Sequence, residues 1–301
     1  MRPVTRLRPR ITVAALSAAA TLGGSGALAA LGPRQCRKHL ERSNFHGRAV
    51  SLRGGIGAAV GATAAGSITG RLTHPQVGAR HSAAAVVAVA AAGTAGLVDD
   101  LDAGAHDGAE VAKGLKGHLG ALAQGRVTTG VLKIAVIGSG AMVAGVLLAR
   151  SRAAGKTLPA IATDAAGSAV VIASWANVLN LLDLRPGRAL KATALMAALL
   201  AASPGRAATT TRLLAAGALG AAAAAGPEDL AERTMLGDTG ANALGALVGT
   251  ALAAHPDARL RALAATGGVA LVLASEKVSF TRIIESTPVL AALDSLGRRP
   301  S

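Results

Sequence analysis

The sequence has few of the residues on which soluble domains and metal centres usually depend. It contains one cysteine, two phenylalanines, one tryptophan and no tyrosine, and only 16% of its residues are charged. The single cysteine, Cys36, excludes an internal disulfide framework and a cysteine-rich metal site. The seven histidines are scattered without a His-x-x-x-His pair, which argues against a zinc site.

Small and aliphatic residues take the place of the missing polar and aromatic ones. Hydrophobic residues make up 51% of the 301 positions, 38 residues are glycine, and the mean hydropathy is +0.46. Soluble domains carry about 25% charged residues, and small residues favour close packing of helices in lipid. This composition predicts an integral membrane protein built from α-helices.

Basic residues outnumber acidic residues by 31 to 16, which gives a formal net charge of +15. A strongly basic chain can bind the phosphates of nucleic acid. Here the arginines and lysines stand in short clusters between apolar stretches, where helix ends and anionic lipid headgroups account for them. The pattern favours the membrane as a partner and argues against nucleic acid.

Apolar stretches recur along the whole chain and predict an all-α bundle of about nine or ten membrane-spanning helices, although several are shorter than the roughly 20 residues that cross a bilayer. One integral membrane domain, 1–301, is expected, with 1–32 as a retained first helix or signal anchor, 33–285 as its core and 286–301 as a tail. The nine stretches are 11–31, 55–70, 82–98, 131–149, 160–182, 189–203, 209–225, 241–254 and 260–274.

Alternation of nine helices brings most of the acidic residues to one membrane face; only Asp164 and Asp257 fall elsewhere. Slightly more of the lysines and arginines also lie on this face, so the positive-inside rule predicts that it is cytoplasmic, with the N-terminus outside. The acidic residues indicate a functional site at this end of the bundle. The segments that meet there are 33–54, 99–130, 183–188, 226–240 and 275–301.

Two polar motifs stand where predicted helices reach this face. Asp99 and Asp100 form a carboxylate pair at a depth where ionisable groups are costly and usually functional. Adjacent carboxylates repel each other, so Mg²⁺, which takes one or two carboxylates plus substrate phosphates, is a natural partner; a solvated helix end is the alternative. Asn177, Asn180 and Asp183 share one helical stripe, which lines a site or joins packed helices through its amides.

A third motif begins the eighth apolar stretch and reads Leu236-Gly237-Asp238-Thr239-Gly240-Ala241. It places Asp238 at a predicted helix N-terminus, where backbone N–H groups face anions. Thr239 alternatively serves only as a helix N-cap.

The order and spacing of these motifs resemble the signature of the polyprenyl-phosphate N-acetylhexosamine-phosphate transferases. The matching segments are Asp99-Asp100, Asn180-Leu181-Leu182-Asp183 and the Leu-Gly-Asp-Thr-Gly-Ala run that contains Asp238. Weaker matches are the first cytoplasmic loop, with Asn44-Phe45-His46-Gly47-Arg48, and the basic residues Lys116 and Lys133. The resemblance covers residues 34–285.

The resemblance implies an enzyme of the plasma membrane that acts at the cytoplasmic face. In that reaction the phosphate of a polyprenyl phosphate lipid attacks the β-phosphate of a UDP-sugar, UMP leaves, and a lipid diphosphate sugar for cell-envelope glycopolymers is formed. Mg²⁺ and basic residues would stabilise the charge of the transferring group. The implied partners are polyprenyl phosphate, a UDP-sugar and the membrane, and a homodimer is compatible with this assignment.

The matched positions imply a role for each residue. Asp99 and Asp100 would act on the lipid phosphate and the metal, Asp183 would bind Mg²⁺, and Asp238 would complete the catalytic and metal site. The remaining candidates are substrate-binding residues: Asn177, Asn180, Lys116, Lys133 and His46.

Two segments depart from the family's pattern. Family members usually read Asp-Gly-Leu-Asp-Gly in the second motif, whereas this chain reads Asp183-Leu184-Arg185-Pro186-Gly187, so proline replaces a second carboxylate. Residues 276–282 stand in place of an expected histidine-rich loop. A catalytically inactive paralogue stays open as an alternative. So does a transporter or scaffold, which predicts charged residues along a path across the membrane.

A glycine motif at 133–142 resembles the first strand and turn of a dinucleotide-binding fold. Val143 stands where the third glycine or an alanine is expected, and the neighbouring sequence lacks strand–helix alternation. We therefore predict that Gly138, Gly140 and Gly145 are helix-packing positions.

Overall fold

The described part of the chain folds into helices and their connecting turns, apart from one short hairpin. The structure, a computed structural model, describes residues 4–31, 39–73, 75–102, 114–125 and 128–299. The described helices are α1 (Val4–Leu31), α2 (Arg53–Arg71), α3 (Pro75–Asp102), α4 (Gly114–Ala123), α5 (Thr129–Ser151), α6 (Leu158–Leu182), α7 (Arg188–Ala201), α8 (Thr209–Leu230), α9 (Gly237–Ala253), α10 (Ala258–Ser275), α11 (Phe280–Ser286) and α12 (Pro288–Ser295), and the strands are β1 (Glu41–Ser43) and β2 (Ala49–Ser51).

The nine predicted apolar stretches coincide with nine of these helices, and the stretches 189–203 and 241–254 extend only one or two residues beyond the helix ends, which confirms the all-α fold. Five of the described helices, α1, α3, α5, α6 and α10, are long and apolar enough to cross a membrane, and they indicate a membrane protein. The predicted nine or ten spans exceed this number. Helix α7 has only 14 residues, so it is about 21 Å long, well below the roughly 30 Å of a bilayer's hydrocarbon core.

Helix α9 lies at the centre of the bundle and carries the third motif. Apart from Asp238, all its residues are buried, and it packs against α2, α3, α6 and α8. The small residues of the sequence make this packing close. A Cβ atom added to Gly245 would lie 2.6 Å from the Cα atom of Ala176, and one added to Gly249 would lie 2.9 Å from the Cα atom of Ile172. Glycine therefore lets the α6 and α9 backbones touch.

Two of the three glycines of α5 that we predicted to be helix-packing positions confirm the prediction. A Cβ atom on Gly140 would overlap the side chain of Ala91 in α3, and one on Gly145 would lie 3.1 Å from the backbone nitrogen of Ala169 in α6. The prediction for Gly138 is wrong, because no neighbouring atom of the described residues lies within 4 Å of the position its Cβ would take.

The hairpin between α1 and α2 was not predicted from the sequence. Strands β1 and β2 are antiparallel, and Asn44 fixes the turn, since its side-chain oxygen accepts hydrogen bonds from the backbone N–H groups of His46 and Arg48 at 3.0 and 2.9 Å. Gly47 takes the left-handed conformation, with φ +71°. The turn holds the weakly matching first loop in one conformation.

Backbone hydrogen bonds fasten the hairpin to the loop between α8 and α9. The N–H of Ser51 donates to the carbonyl of Arg233 at 3.2 Å, and the N–H of Met235 donates to the carbonyl of Ser51 at 3.0 Å. The first loop and the third motif therefore lie side by side.

Helices α11 and α12 fold back on the turn between α6 and α7. Asp294 of α12 accepts two hydrogen bonds of 2.8 Å from the guanidinium of Arg188 and also pairs with Arg298. Arg298 in turn donates to the carbonyl of Pro186 at 2.9 Å. The C-terminal segment thus braces the turn that follows the second motif.

We expect Asp294→Ala to lower the free energy of unfolding by about 3–5 kcal/mol, because a buried arginine would lose its carboxylate. The side chain of Arg188 is only 5% exposed. Thermal unfolding of the purified protein in detergent measures this loss. Glu285→Ala is the control, since Glu285 is 53% exposed in its ion pair with Arg185 and should contribute at most about 1 kcal/mol. Equal small losses in both variants would contradict the expected role of Asp294.

Candidate functional site

Four helix ends bring most of the predicted site residues together at one end of the bundle. They are the end of α3, the start of α5, the end of α6 and the start of α9. The six residues that we call the acidic centre are Asp99, Asp100, Lys133, Asn180, Asp183 and Asp238.

Asp100 joins α3 to the start of α9. Its carboxylate accepts hydrogen bonds from the backbone N–H groups of Asp238 at 3.0 Å and Thr239 at 2.9 Å, and from the Thr239 hydroxyl at 2.6 Å. Gly237 has φ +57°, and a Cβ atom there would lie 2.9 Å from both carboxylate oxygens. The anion at this helix N-terminus is therefore Asp100 itself.

The N-cap alternative for Thr239 is wrong. Helix α9 begins at Gly237, after Leu236 as its N-cap residue, so Thr239 already lies within the first turn. Its hydroxyl binds Asp100 rather than a free N–H of its own helix. Gly237, Asp238 and Thr239 thus all contact the carboxylate of Asp100 in α3.

Lys133 lies between two carboxylates of the acidic centre. Its Nζ atom is 3.3 Å from Oδ2 of Asp99 and forms an ion pair with Asp238. The side chains of Lys133, Asp99 and Asp238 are 13%, 31% and 28% exposed, so the carboxylates remain accessible. One ammonium group therefore pairs with two carboxylates that a ligand can reach.

Asn180 completes this arrangement from the end of α6. With its amide oriented to satisfy both neighbours, the nitrogen donates to Oδ1 of Asp238 at 2.9 Å and the oxygen accepts from Nζ of Lys133 at 3.1 Å. Asn177, one turn earlier, makes no side-chain hydrogen bond to any residue in the described ranges. Of the two asparagines in the stripe predicted for the second motif, Asn180 therefore contacts the acidic centre, whereas Asn177 is a partly buried neighbour.

Asp183 lies just beyond α6 and pairs with no cation among the described residues. It accepts a hydrogen bond from the backbone N–H of Gly237. Burial is the largest cause that raises the pKa of Asp183 well above the ordinary 3.8. The negative charges of three neighbours raise it further: Asp229, Asp238 and Asp100. An unpaired carboxylate in such surroundings favours a bound cation.

These residues fit a Mg²⁺ ion that shares its ligands with a substrate. No group of three His, Cys, Asp or Glu side chains in the part of the chain that the structure describes is arranged to hold a metal, and the oxygens of Asp100 already bind α9. Asp183 and Asp238 nevertheless supply the one or two carboxylates that Mg²⁺ commonly takes, with substrate phosphates and water as further ligands.

A cleft of about 320 Å³ opens beside the acidic centre. Phe45, which is 59% exposed, stands at its rim, and the guanidinium of Arg185 lies 3.2 Å from the centroid of the phenyl ring. Arg185, next to Pro186 in the second motif, therefore places a guanidinium at the cleft, where it also pairs with Glu285. The lining residues are Ser43, Asn44, Phe45, Asp183, Leu184, Arg185, Pro186, Asp229, Glu232, Thr234 and Met235.

Glu232 holds the hairpin at the edge of this cleft, and the sequence analysis gave it no role. Its side chain is 2% exposed and binds Nδ1 of His46 at 3.1 Å, Nη1 of Arg48 at 2.8 Å and the amide of Asn44. Burial would raise the pKa of Glu232, but the hydrogen bonds from Asn44 and His46, together with the charge of Arg48, lower it. The sequence signal for such an acidic partner was the three polar side chains of the loop 44–48: Asn44, His46 and Arg48.

His46 and Lys116 were predicted to bind substrate. His46 lies near the cleft, where one ring nitrogen already binds Glu232 and its ring packs edge-on against Phe45 at 5.2 Å. Lys116 belongs to α4, and its side chain lies outside the described residues. Lys133 is thus the predicted basic residue that the described structure places in the acidic centre.

Asp229 supports the third motif from the end of α8, and its role was also missed. Its carboxylate accepts hydrogen bonds from the backbone N–H groups of Gly187 at 2.6 Å and Leu236 at 3.0 Å. Asp229 therefore joins the turns that follow the second motif and precede the third. Burial raises the pKa of Asp229 to about 6.

We expect Asp229 to cost the folded protein less stability as the pH falls from 7.5 to 5. A carboxyl group whose pKa is raised on folding binds its proton more tightly in the folded state, so Asp229 costs stability above about pH 6, and this cost disappears as the pH falls towards 3.8. Its share is roughly 1–3 kcal/mol. Asp229→Asn should remove this contribution from the pH dependence of thermal unfolding, whereas Asp257→Asn should keep the wild-type pH dependence. The same pH dependence in Asp229→Asn and in the wild type would contradict the prediction.

No protein-family model matches the chain, and no curated protein matches it. The geometry of the acidic centre and its motifs is therefore the basis for assigning a function. The three motifs that resemble the transferase signature meet at this centre, together with Lys133.

Proposed function

We propose that the protein transfers a phospho-sugar from a UDP-sugar to a polyprenyl phosphate, with Mg²⁺, at the cytoplasmic face of the plasma membrane, in the synthesis of cell-envelope glycopolymers. One observation carries this proposal: the carboxylates and amide of three motifs far apart in the sequence surround a single lysine. The same residues carry the resemblance to the polyprenyl-phosphate N-acetylhexosamine-phosphate transferases.

The charges of the acidic centre suit a phosphate-transfer reaction. Such reactions depend on positioning of the phosphates and on stabilisation of their negative charge. Asp183 and Asp238 would hold Mg²⁺, which neutralises the diphosphate when it is bound. Lys133 supplies a fixed positive charge, and Asn180 fixes its position relative to Asp238. Asp99 is the more exposed of the two carboxylates that pair with Lys133, and it would face the lipid phosphate.

The cleft suits the sugar-nucleotide side of the reaction. Its volume of about 320 Å³ lies at the lower end of the range for small-molecule sites. It extends from Asp183 to the exposed ring of Phe45 and the guanidinium of Arg185. Arg185, which also pairs with Glu285, would contact an anionic donor from the turn in which Pro186 replaces the second carboxylate of the motif.

The arrangement of acidic residues favours an enzyme over a transporter. A route for a polar solute usually leaves ionisable groups near the middle of the membrane. In the described helices the acidic residues lie near helix ends: Asp99, Asp100, Asp102, Glu228, Asp229, Asp238, Glu285 and Asp294 at the end of the acidic centre, and Asp164 near the start of α6. Asp164 is bound by Arg152 and Lys156, at 3.0 and 3.2 Å.

The test is an assay of the purified full-length protein with polyprenyl phosphate and a panel of UDP-sugars, beginning with UDP-GlcNAc. We expect UMP release that depends on Mg²⁺, stops when the metal is chelated, and is matched by an equal amount of lipid diphosphate sugar. Absence of release with every donor, from protein that unfolds cooperatively, would reject the transferase. It would favour an inactive paralogue, with Pro186 as the first position to revert to aspartate.

A further inference from the structure

A second pocket lies at the opposite end of the bundle from the acidic centre. It has a volume of about 200 Å³ and is bounded by the starts of α1 and α8, the end of α2 and the turn between α7 and α8. Along α8 the pocket residue Arg212 and the acidic-centre neighbour Asp229 are 17 positions apart, about 26 Å at 1.5 Å per residue. The lining residues are Pro9, Arg10, Leu72, Arg206, Thr209, Arg212 and Leu213.

The pocket is strongly cationic. Three of its seven lining residues are arginine and none is acidic. The two acidic residues at this end of the described bundle are used elsewhere: Asp164 binds Arg152, Lys156 and Arg261, and Asp257 caps the start of α10. The N-terminal end of α8 adds a partial positive charge. An anion would therefore be attracted to this pocket.

The structure holds two of the arginines in place. Arg212 is 7% exposed, and its guanidinium donates to the carbonyl of Ser203 at 2.9 Å and to the hydroxyl of Thr209 at 3.0 Å. Arg10 donates to the carbonyl of Ala201 at 3.1 Å. The exposed side chain of Arg206 forms no hydrogen bond or ion pair with another residue in the described ranges. Arg206 thus leaves a guanidinium fork ready for an oxyanion.

Two exposed leucines lie on α7, the helix whose last residue binds Arg10 of the pocket. Leu195 and Leu199 lie one turn apart on this helix and are 63% and 67% exposed, and α7 ends at Ala201, whose carbonyl binds Arg10. In a membrane protein such leucines face acyl chains. The cationic pocket and the leucines together match a phosphate group that carries a hydrocarbon chain, whereas a free phosphate would use only the arginines.

We propose that this pocket binds the phosphodiester headgroup of an anionic phospholipid, with one acyl chain against Leu195 and Leu199. The site lies about the length of a helix from the acidic centre, so it is separate from the proposed transferase site. Its occupant holds α1, α2, α7 and α8 together at the far membrane face, because residues of all four helices or their ends surround it.

The test compares lipid binding to the purified full-length protein by native mass spectrometry. Wild-type protein should retain phosphatidylglycerol but not phosphatidylcholine. Arg10→Gln with Arg206→Gln should weaken phosphatidylglycerol binding by about tenfold or more, as expected for two basic residues near a charged headgroup. Arg259→Gln is the matched control, since Arg259 is an exposed arginine at the same end, outside the pocket, and this variant should bind as the wild type does.

A second variant and a second ligand distinguish the lipid from its headgroup. Leu199→Gln should weaken phosphatidylglycerol binding while all three arginines remain. Inorganic phosphate at millimolar concentration should raise the unfolding temperature less than phosphatidylglycerol does. Equal stabilisation by both ligands would assign the pocket to a free anion and overturn the lipid proposal. Equal phosphatidylglycerol binding by the double arginine variant and Arg259→Gln, when both unfold cooperatively without lipid, would also overturn it.

Discussion

Asp238→Asn is expected to lower the rate of UMP release by about 10²–10⁴-fold, the usual range for loss of a charged group that acts in the transition state. The change preserves the shape of the side chain but removes the charge that pairs with Lys133 and that would bind Mg²⁺. Lys133 and Asn180 each donate to one carboxylate oxygen of Asp238. In the asparagine variant one of these two donors would face the amide nitrogen, which cannot accept its hydrogen bond. The measurement is kcat for UMP release at saturating donor and Mg²⁺.

Asp257→Asn provides the matched control for this substitution. Asp257 caps α10 at the far end of the bundle, where its carboxylate accepts the N–H of Arg259 at 2.8 Å, and asparagine caps helices about as well as aspartate. The activity of Asp257→Asn should stay within about twofold of the wild type. This is well under the tenfold change that a difference of about 1.4 kcal/mol would produce. A similar activity in both variants would remove Asp238 from the catalytic role.

Gly96→Ala is expected to lower the free energy of unfolding by about 2–4 kcal/mol, because an added methyl group would be forced into the backbone of the third motif. A Cβ atom at this position would overlap the carbonyl of Asp238 and lie 2.6 Å from the backbone nitrogen of Thr239. Backbone atoms in the buried first turn of α9 have no room to move away. Loss of transferase activity should accompany the loss of stability, since the same contact positions Asp238 beside Lys133.

The control for this prediction is Gly138→Ala. Alanine is favoured over glycine inside a helix by roughly 0.5–1 kcal/mol, and no neighbouring atom lies within 4 Å of the Cβ position at Gly138. Thermal unfolding in detergent should therefore show a small stabilisation for Gly138→Ala and a large destabilisation for Gly96→Ala. The same small gain in both variants would show that α3 and α9 are not in close contact at Gly96.

The sequence alone was sufficient to predict the helices and that the three polar motifs lie at one end of the bundle. Apolar stretches separated by charged and glycine-containing turns favour helices in a membrane wherever they fold, because the backbone must satisfy its hydrogen bonds within each segment. Alternation of these helices was enough to place Asp99, Asn180 and Asp238 at one end. The number of spans was harder to predict, because alanine-rich stretches are apolar without being long.

Only the tertiary structure decided which partner each polar side chain has. The pair Asp99-Asp100 is symmetrical in the sequence, yet Asp100 binds the backbone of α9 while Asp99 faces Lys133, since adjacent residues on a helix point about 100° apart. Gly138 and Gly140 are equally small, yet only Gly140 contacts α3. Pairing depends on distance in space across more than a hundred residues, which local periodicity does not contain, whereas helix formation depends on neighbours within a few positions.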